Sequence, residues 1–93
     1  MTINEIKEKI TPILRKHGIT RAAVFGSVAR GEADEQSDVD ILVEIPRPHG
    51  LFEFIGIKNE LEDALGKKVD LVEYQAIKAR IRENILNSQV PIL

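Results

Sequence analysis

Hydrophobic residues recur along this chain with two periods, one typical of helices and one typical of strands. Near the N-terminus they return every three or four residues and so fall on one helical face: Ile3, Ile6, Ile10, Ile13 and Leu14. Thr2 or Asn4 can cap this helix, and His17 and Gly18 end it. The same period predicts a helix over 51–65, stopped by Gly66, and a last helix marked by Ile77, Ile81 and Ile85 that ends near Asn87.

Short apolar stretches between the helices predict strands over 19–25, 38–45 and 67–74. A helical turn over 27–30, closed by Gly31, and a solvated loop over 32–37 join the first two strands. The tail, 90–93, favours a short edge strand. This order of elements predicts an α+β (α/β) fold, a small mixed β-sheet with helices packed on it.

Length and composition narrow the class of protein. The chain has 93 residues, 43% hydrophobic and 30% charged, which predicts one globular domain over 1–93. Its N-terminus has a helical period and not the apolar run of a signal peptide, which predicts a cytoplasmic protein without a membrane span. With no cysteine there is no disulfide, thiolate nucleophile or cysteine metal site. A net charge of -2 predicts no direct nucleic-acid binding.

Two aspartates interrupt the second predicted strand. Alternation sends one set of side chains to the core face, Val39, Ile41, Val43 and Ile45, and another to the opposite face, Asp38, Asp40, Leu42 and Glu44. Carboxylates there need no function if that face is simply the wet side of a half-covered sheet. That interpretation stays open on the strand alone.

The turn at Gly26 and Ser27 is a candidate phosphate-binding site next to the aspartates. Glycine lets a phosphate approach the backbone, and N–H groups at a helix start, with the serine hydroxyl, can donate to its oxygens. A plain turn with an N-cap is the alternative. Neither a Walker loop nor a Rossmann fingerprint occurs. Ten residues separate Ser27 from Asp38, enough for the chain to return beside the first strand.

Asp70 is a third carboxylate on a predicted strand, in KKVDLVEY. If that strand neighbours the second, three carboxylates converge, and their repulsion calls for a cation. Oxygen-only ligands suit Mg²⁺, commonly held together with nucleotide phosphates. Two ions roughly 3.5–4 Å apart are suited to in-line displacement at phosphorus.

The combined motif resembles that of a known superfamily. G-S, ten residues, D-x-D and a later strand aspartate are similar to the signature of the DNA polymerase beta-like nucleotidyltransferases. The fuller stretch GSVARGEADEQSDVDILVE resembles the MNT-domain proteins, minimal nucleotidyltransferases that are typically antitoxins encoded beside HEPN-domain RNase toxins. The resemblance covers essentially all 93 residues and implies a polymerase beta-like palm fold.

The resemblance also implies roles for individual residues. Asp38 and Asp40 would ligate two Mg²⁺ ions, with Mn²⁺ as the other candidate, and Asp70 would complete this metal and catalytic site. Gly26 and Ser27 would bind the β- and γ-phosphates of ATP. Arg30 lies where the family often has arginine and is a candidate phosphate contact, with a surface salt bridge as the alternative.

The implied reaction is transfer of AMP from ATP to a tyrosine hydroxyl of a partner HEPN-type toxin. A non-catalytic antitoxin that neutralises its partner by contact alone is the second hypothesis. A nucleotidyltransferase acting on a small molecule or RNA is the third, disfavoured by the small size and mild acidity.

Other residues suggest weaker hypotheses. His17 and His49 lack metal-ligand spacing, which predicts solvated roles. Tyr74 could stack near a base, although a packed aromatic is the simpler interpretation. Two further groups of residues have both an ordinary interpretation, as part of the surface or the core, and a functional one, as contacts to a partner. They are the basic residues of the last helix, Lys78, Arg80 and Arg82, and the apolar residues Phe52, Phe54 and Ile57.

Overall fold

The predicted order of helices and strands is confirmed in a computed structural model, which describes residues 1–34 and 36–93. The elements are α1 (Ile3–Lys16), β1 (Arg21–Phe25), α2 (Gly26–Ala29), β2 (Val39–Glu44), α3 (Leu51–Leu65), β3 (Val69–Glu73), a 3₁₀ turn (Tyr74–Ala76), α4 (Ala79–Ser88) and β4 (Val90–Pro91). The solvated loop predicted over 32–37 includes position 35, which lies outside the described residues.

Helix α1 begins and packs as its sequence predicts. The Thr2 hydroxyl accepts the backbone N–H of Glu5 at 3.1 Å, so Thr2, and not Asn4, is the N-cap. Ile6, Ile10 and Leu14 are fully buried, which confirms the predicted apolar face.

Four strands form one mixed sheet in the order β3-β2-β1-β4. Strand β1 pairs antiparallel with both β2 and β4, whereas β2 and β3 are parallel. Parallel neighbours need a crossover, and α3 provides it between β2 and β3. The α+β prediction is therefore confirmed, and β3 lies at one edge of the sheet.

The main core lies between one face of the sheet and helices α1 and α3. Val39, Ile41 and Val43 point into it from β2, as alternation predicted. Helix α3 contributes Ile57 and Leu61, both fully buried. This face fixes the direction of every side chain on β2, because alternate residues must point away from it.

The opposite face is divided into two parts. Tyr74, Ile77 and the inner side of α4 cover the middle of it, where Leu42 is fully buried. The view of this face as a wet surface is therefore wrong at Leu42. Asp40 and Asp70 lie at the end of the sheet that Tyr74, Ile77 and α4 do not cover. Asp40 pairs in register with Phe25 on β1 and with Asp70 on β3.

Several predicted boundaries move by one or two residues. Ile19 is buried but precedes β1, and Asp38 lies just before β2. Ile77 packs in the core before α4 begins, instead of lying inside the last helix. No helix in the described part of the chain is long and apolar enough to cross a membrane.

Candidate active site

Asp40 and Asp70 are register partners on the parallel strands β2 and β3. Neighbouring strands lie roughly 4.8 Å apart, so partners in register project side by side from one face. Asp38 lies just before β2, two residues from Asp40, and its charge acts on Asp40. Asp40 is half-buried, whereas Asp38 and Asp70 are exposed. The structure thus places Asp40 and Asp70 side by side, with Asp38 close enough to Asp40 for its charge to act on it.

Gly26 adjoins this row because Phe25, the preceding residue, is the register partner of Asp40 on β1. Its φ of 72° lies in the left-handed region, which favours glycine. A Cβ at Gly26 would also overlap Oδ2 of Asp40 and would lie 3.0 Å from its Cγ. Only a residue without a side chain therefore leaves the Asp40 carboxylate in place.

Ser27 lies in the short helix α2, which starts directly at Gly26. Arg30 donates its backbone N–H to the Gly26 carbonyl at 3.1 Å, and Glu32 donates to the Ser27 carbonyl at 2.9 Å. These bonds hold the turn beside the carboxylates. The first N–H groups of a helix have no acceptor within it, so donors of this kind are available to anionic oxygens.

The electrostatics of Asp40 reflect its crowding. Burial raises the pKa of Asp40, and the neighbouring Asp70 and Asp38 carboxylates raise it further, while Arg30 opposes them. Proton uptake or a bound cation would relieve this repulsion. The carboxylate row is therefore unfavourable as it stands, and its chemistry suits a positively charged ligand.

The donor set fits a hard divalent cation. The side chains of Asp38, Asp40 and Asp70 offer only carboxylate oxygens, which Mg²⁺ prefers. Within residues 1–34 and 36–93, no group of three or more His, Asp or Glu side chains is placed so that it could hold a metal ion. Mg²⁺ is usually bound by only one or two carboxylates together with water and substrate phosphates, so the neighbouring pair Asp40 and Asp70 is compatible with it.

Arg30 pairs with Glu32, with Nε 3.1 Å from Oε2, and both side chains are exposed. Its charge also reaches Asp40, because it lowers the pKa of that carboxyl. Both interpretations of Arg30, phosphate contact and surface ion pair, are compatible with this position.

Glu62 is a residue near the site that sequence reasoning missed. Its Oε2 accepts the backbone N–H of Val69 at 2.8 Å, at the outer edge of β3 directly before Asp70. The carbonyl of Lys68 in turn accepts the N–H of Val39 at 2.9 Å, between Asp38 and Asp40. This hydrogen-bonded link spans three elements, so nothing in the local sequence pattern indicates it.

The predicted solvated roles of the two histidines are wrong. His17 Nε2 lies 2.9 Å from Oε1 of Glu60 and links α1 to α3. His49 Nε2 lies 3.1 Å from Oε1 of Glu73, and both side chains are largely covered.

The packed interpretation of Tyr74 is confirmed. The ring is buried beneath the Arg21 guanidinium, 3.9 Å from the ring centroid, and its hydroxyl donates to Oε1 of Gln89 at 3.0 Å. Burial raises the pKa of the Tyr74 hydroxyl, with Arg21 opposing.

A glycine-serine turn beside paired strand carboxylates, on a small mixed sheet, is the arrangement expected of a nucleotidyltransferase. The nucleotidyltransferase domain family matches residues 6–92, and the chain belongs to this family. The predicted family resemblance and enzyme class are thereby confirmed.

Two relatives are similar over nearly the full length. A Methanocaldococcus jannaschii protein that carries the name protein adenylyltransferase is 50% identical, covering 100% of both chains. The protein adenylyltransferase MntA of Thermococcus cleftensis is 38% identical, over 97% of this chain and 95% of its own.

Solved structures share the fold. A minimal nucleotidyltransferase has 37% identity and a TM-score of 0.83, covering 98% of this chain and 96% of its own. A tri-AMPylated Shewanella oneidensis HEPN toxin in complex with its MNT antitoxin matches at a TM-score of 0.75, with 20% identity over 97% of this chain and 71% of the matched chain. At that identity the second likeness concerns the fold alone.

Proposed function

We propose that this chain is the antitoxin of a HEPN-type RNase toxin and transfers AMP from ATP to a tyrosine hydroxyl of that toxin. Relatives of 50% and 38% identity bear the name protein adenylyltransferase. The fold recurs in an MNT antitoxin bound to an AMPylated HEPN toxin. The observation that carries the proposal is the register of Asp40 with Asp70, next to the glycine that Asp40 requires.

In the proposed reaction the tyrosine oxygen forms a bond to the α-phosphorus of ATP, and the bond from that phosphorus to the bridging oxygen breaks. Pyrophosphate leaves with the bonding electrons. Asp70, exposed at the edge strand, takes the proton of the attacking hydroxyl. The exposure of Asp70 suits this role, because the acceptor belongs to a large partner and must reach it from outside.

The turn at Gly26 and Ser27 holds the β- and γ-phosphates, and Arg30 contacts them. Asp38, Asp40 and Asp70 would hold Mg²⁺, with Mn²⁺ as the other candidate and two ions expected. When bound, the metal offsets negative charge on the phosphate oxygens. Catalysis then depends mainly on positioning of the reacting atoms.

The crowding of Asp40 argues against a purely binding role. Burial and two carboxylate neighbours disfavour its ionised form, which costs stability. A protein that only covers its partner gains nothing from that arrangement. We place the reaction in the cytoplasm, in agreement with the use of ATP and a chain that contains no cysteine.

The test is to incubate the purified chain with its HEPN-type partner, ATP and Mg²⁺, and to weigh the partner by mass spectrometry. We expect a gain of one or more adenylyl groups, located on tyrosine by peptide mapping. The combined variant Asp38→Asn and Asp40→Asn should add none, whereas Asp63→Asn, an exposed carboxylate change on α3, should act as wild type. Neutralisation of the toxin without any mass gain would establish the contact-only antitoxin instead.

A further inference from the structure

The first turns of α3 present large apolar side chains to solvent. Phe52 is 90% exposed, Leu51 70% and Ile55 39%. They lie at spacings of one, three and four residues, so they form one continuous surface on the helix. We call these three residues the α3 patch. Its neighbours Phe54 and Ile57 pack against the core, and Ile57 is fully buried. Of the three residues that the sequence proposed for an interaction surface, Phe52, Phe54 and Ile57, only Phe52 therefore remains exposed.

The α3 patch continues into a cavity at the edge of the sheet. This cavity has a volume of about 490 Å³ and is lined by Leu51 and Phe54 from α3 and by Leu71 and Val72 from β3. Leu71 and Val72 directly follow Asp70 on the same strand. The apolar surface and the candidate catalytic carboxylate therefore share one edge of the sheet.

Asp70 lies close to the cavity along β3. Val72, which lines the cavity, follows Asp70 by two residues, or about 7 Å at the usual rise per residue, and the two residues share one face of the strand. A standard protein interface of about 800 Å² per partner has a radius of about 16 Å. A partner that presents a hydroxyl to Asp70 therefore reaches the cavity, which Leu51 of the α3 patch also lines.

Charge around the patch favours a neutral protein surface as the occupant. The ionic side chains beside it are paired with one another: Arg47 with Glu53, His49 with Glu73 at 3.1 Å, and Lys58 with Glu62 at 3.5 Å. A phosphate backbone or an anionic membrane surface requires unpaired basic residues, which these pairs do not supply.

The exposed area disfavours a second copy of the chain. Taking 150–250 Å² for a large side chain, the α3 patch offers on the order of 400 Å². Two such patches facing each other would bury about 800 Å², below the roughly 1,200–2,000 Å² of stable interfaces. A partner that contacts both the α3 patch and β3 as far as the active site buries more surface than the patch alone and so reaches the area of a stable interface.

We infer that the α3 patch and the adjoining cavity form the docking surface for the acceptor protein, whose apolar side chains fill the cavity while its hydroxyl is held at Asp70. This inference rests on the proposed function. It names the surface by which the acceptor is recognised, which is separate from the residues that bind ATP.

Binding of the HEPN-type partner, measured by calorimetry without ATP, tests the inference. We expect the double variant Leu51→Ser and Phe52→Ser to weaken partner binding at least tenfold, as loss of an aromatic anchor does. Ile81→Ser removes another exposed apolar side chain, 41% exposed on α4, and should bind as wild type. All three proteins should bind an ATP analogue equally, which shows that the variants are folded.

Three results would overturn the docking surface. The double variant would bind the partner as tightly as wild type, or Ile81→Ser would weaken binding equally, or the isolated chain would sediment as a dimer that the double variant dissociates. Failure of AMP transfer by the wild type would overturn the proposed function alone, because partner binding is measured without ATP.

Discussion

The Asp40 carboxylate lies where a side chain on Gly26 would have to begin. A Cβ at Gly26 would overlap Oδ2 of Asp40, and the backbone there has a φ of 72°. Gly26 is therefore required twice, once by its backbone and once by the carboxylate beside it.

Gly26→Ala should lower AMP transfer by about 100-fold, the effect of a catalytic group displaced by about 1 Å. Gly18→Ala is the matched control, because Gly18 has a φ of 74° but no atom within 4 Å of an added Cβ. Both changes carry the left-handed backbone penalty of about 1–2 kcal/mol. Equal activity of the two variants would show that Asp40 is not displaced.

Asp40→Asn should stabilise the protein at pH 7 while abolishing AMP transfer. The folded-state pKa of Asp40 is raised above its ordinary value of 3.8, first by burial. Stability therefore falls as pH rises from 3.8 through the folded pKa, and the full penalty remains above it. Thermal unfolding of both proteins should show a higher midpoint for the variant at pH 7 and no difference below pH 3.8. A lower midpoint at pH 7 would contradict this account of the site.

Glu62→Ala should reduce kcat several-fold with little change in KM for ATP, because the start of β3 and Asp70 lose their anchor at Val69. Glu62→Gln should retain most activity, since its amide oxygen can still accept the Val69 N–H. Asp63→Ala, one residue along α3, is the control. Steady-state kinetics measure kcat and KM for each variant. Equal decreases in kcat in the Ala and Gln variants would indicate that the charge of Glu62 matters, and not its hydrogen bond to Val69.

Arg30→Ala and Glu32→Ala separate the two interpretations of Arg30. Both changes break the same ion pair, which is exposed and worth at most about 1 kcal/mol. If Arg30 contacts phosphate, only Arg30→Ala should raise KM for ATP, by roughly 10- to 150-fold for a charged hydrogen bond of about 1.5–3 kcal/mol. An unchanged KM in both variants would show that Arg30 acts only in the ion pair with Glu32.

His49 should give the protein a pH-dependent stability. The carbonyl of Arg47 raises the pKa of His49 above its ordinary value of 6.5, and Glu73 raises it further. The stabilisation is then complete below pH 6.5 and is lost as pH rises through the folded pKa. Denaturant unfolding between pH 6 and pH 9 should show this decline in wild type, and His49→Gln should flatten it.

Local patterns predicted most of the fold. Isoleucine spacing predicted α1, a terminal glycine predicted the end of α3, and alternation predicted the direction of Asp40. The weaker predictions concerned pairs far apart in sequence. Periodicity predicts neither the pairing of His49 with Glu73 nor the packing of Tyr74 and Ile77 over Leu42, because each depends on the position of an element that is distant in sequence.

By itself the sequence determined the helices and strands, the side of β2 on which Asp40 lies and the nucleotidyltransferase motif, because these follow from chain geometry over a few residues. Only the tertiary structure decided that Asp70 is level with Asp40, that Asp40 occupies the side-chain space of Gly26, and that Phe52 is left uncovered. Register between β2 and β3 depends on how the α3 crossover packs, and exposure depends on which surfaces remain after packing.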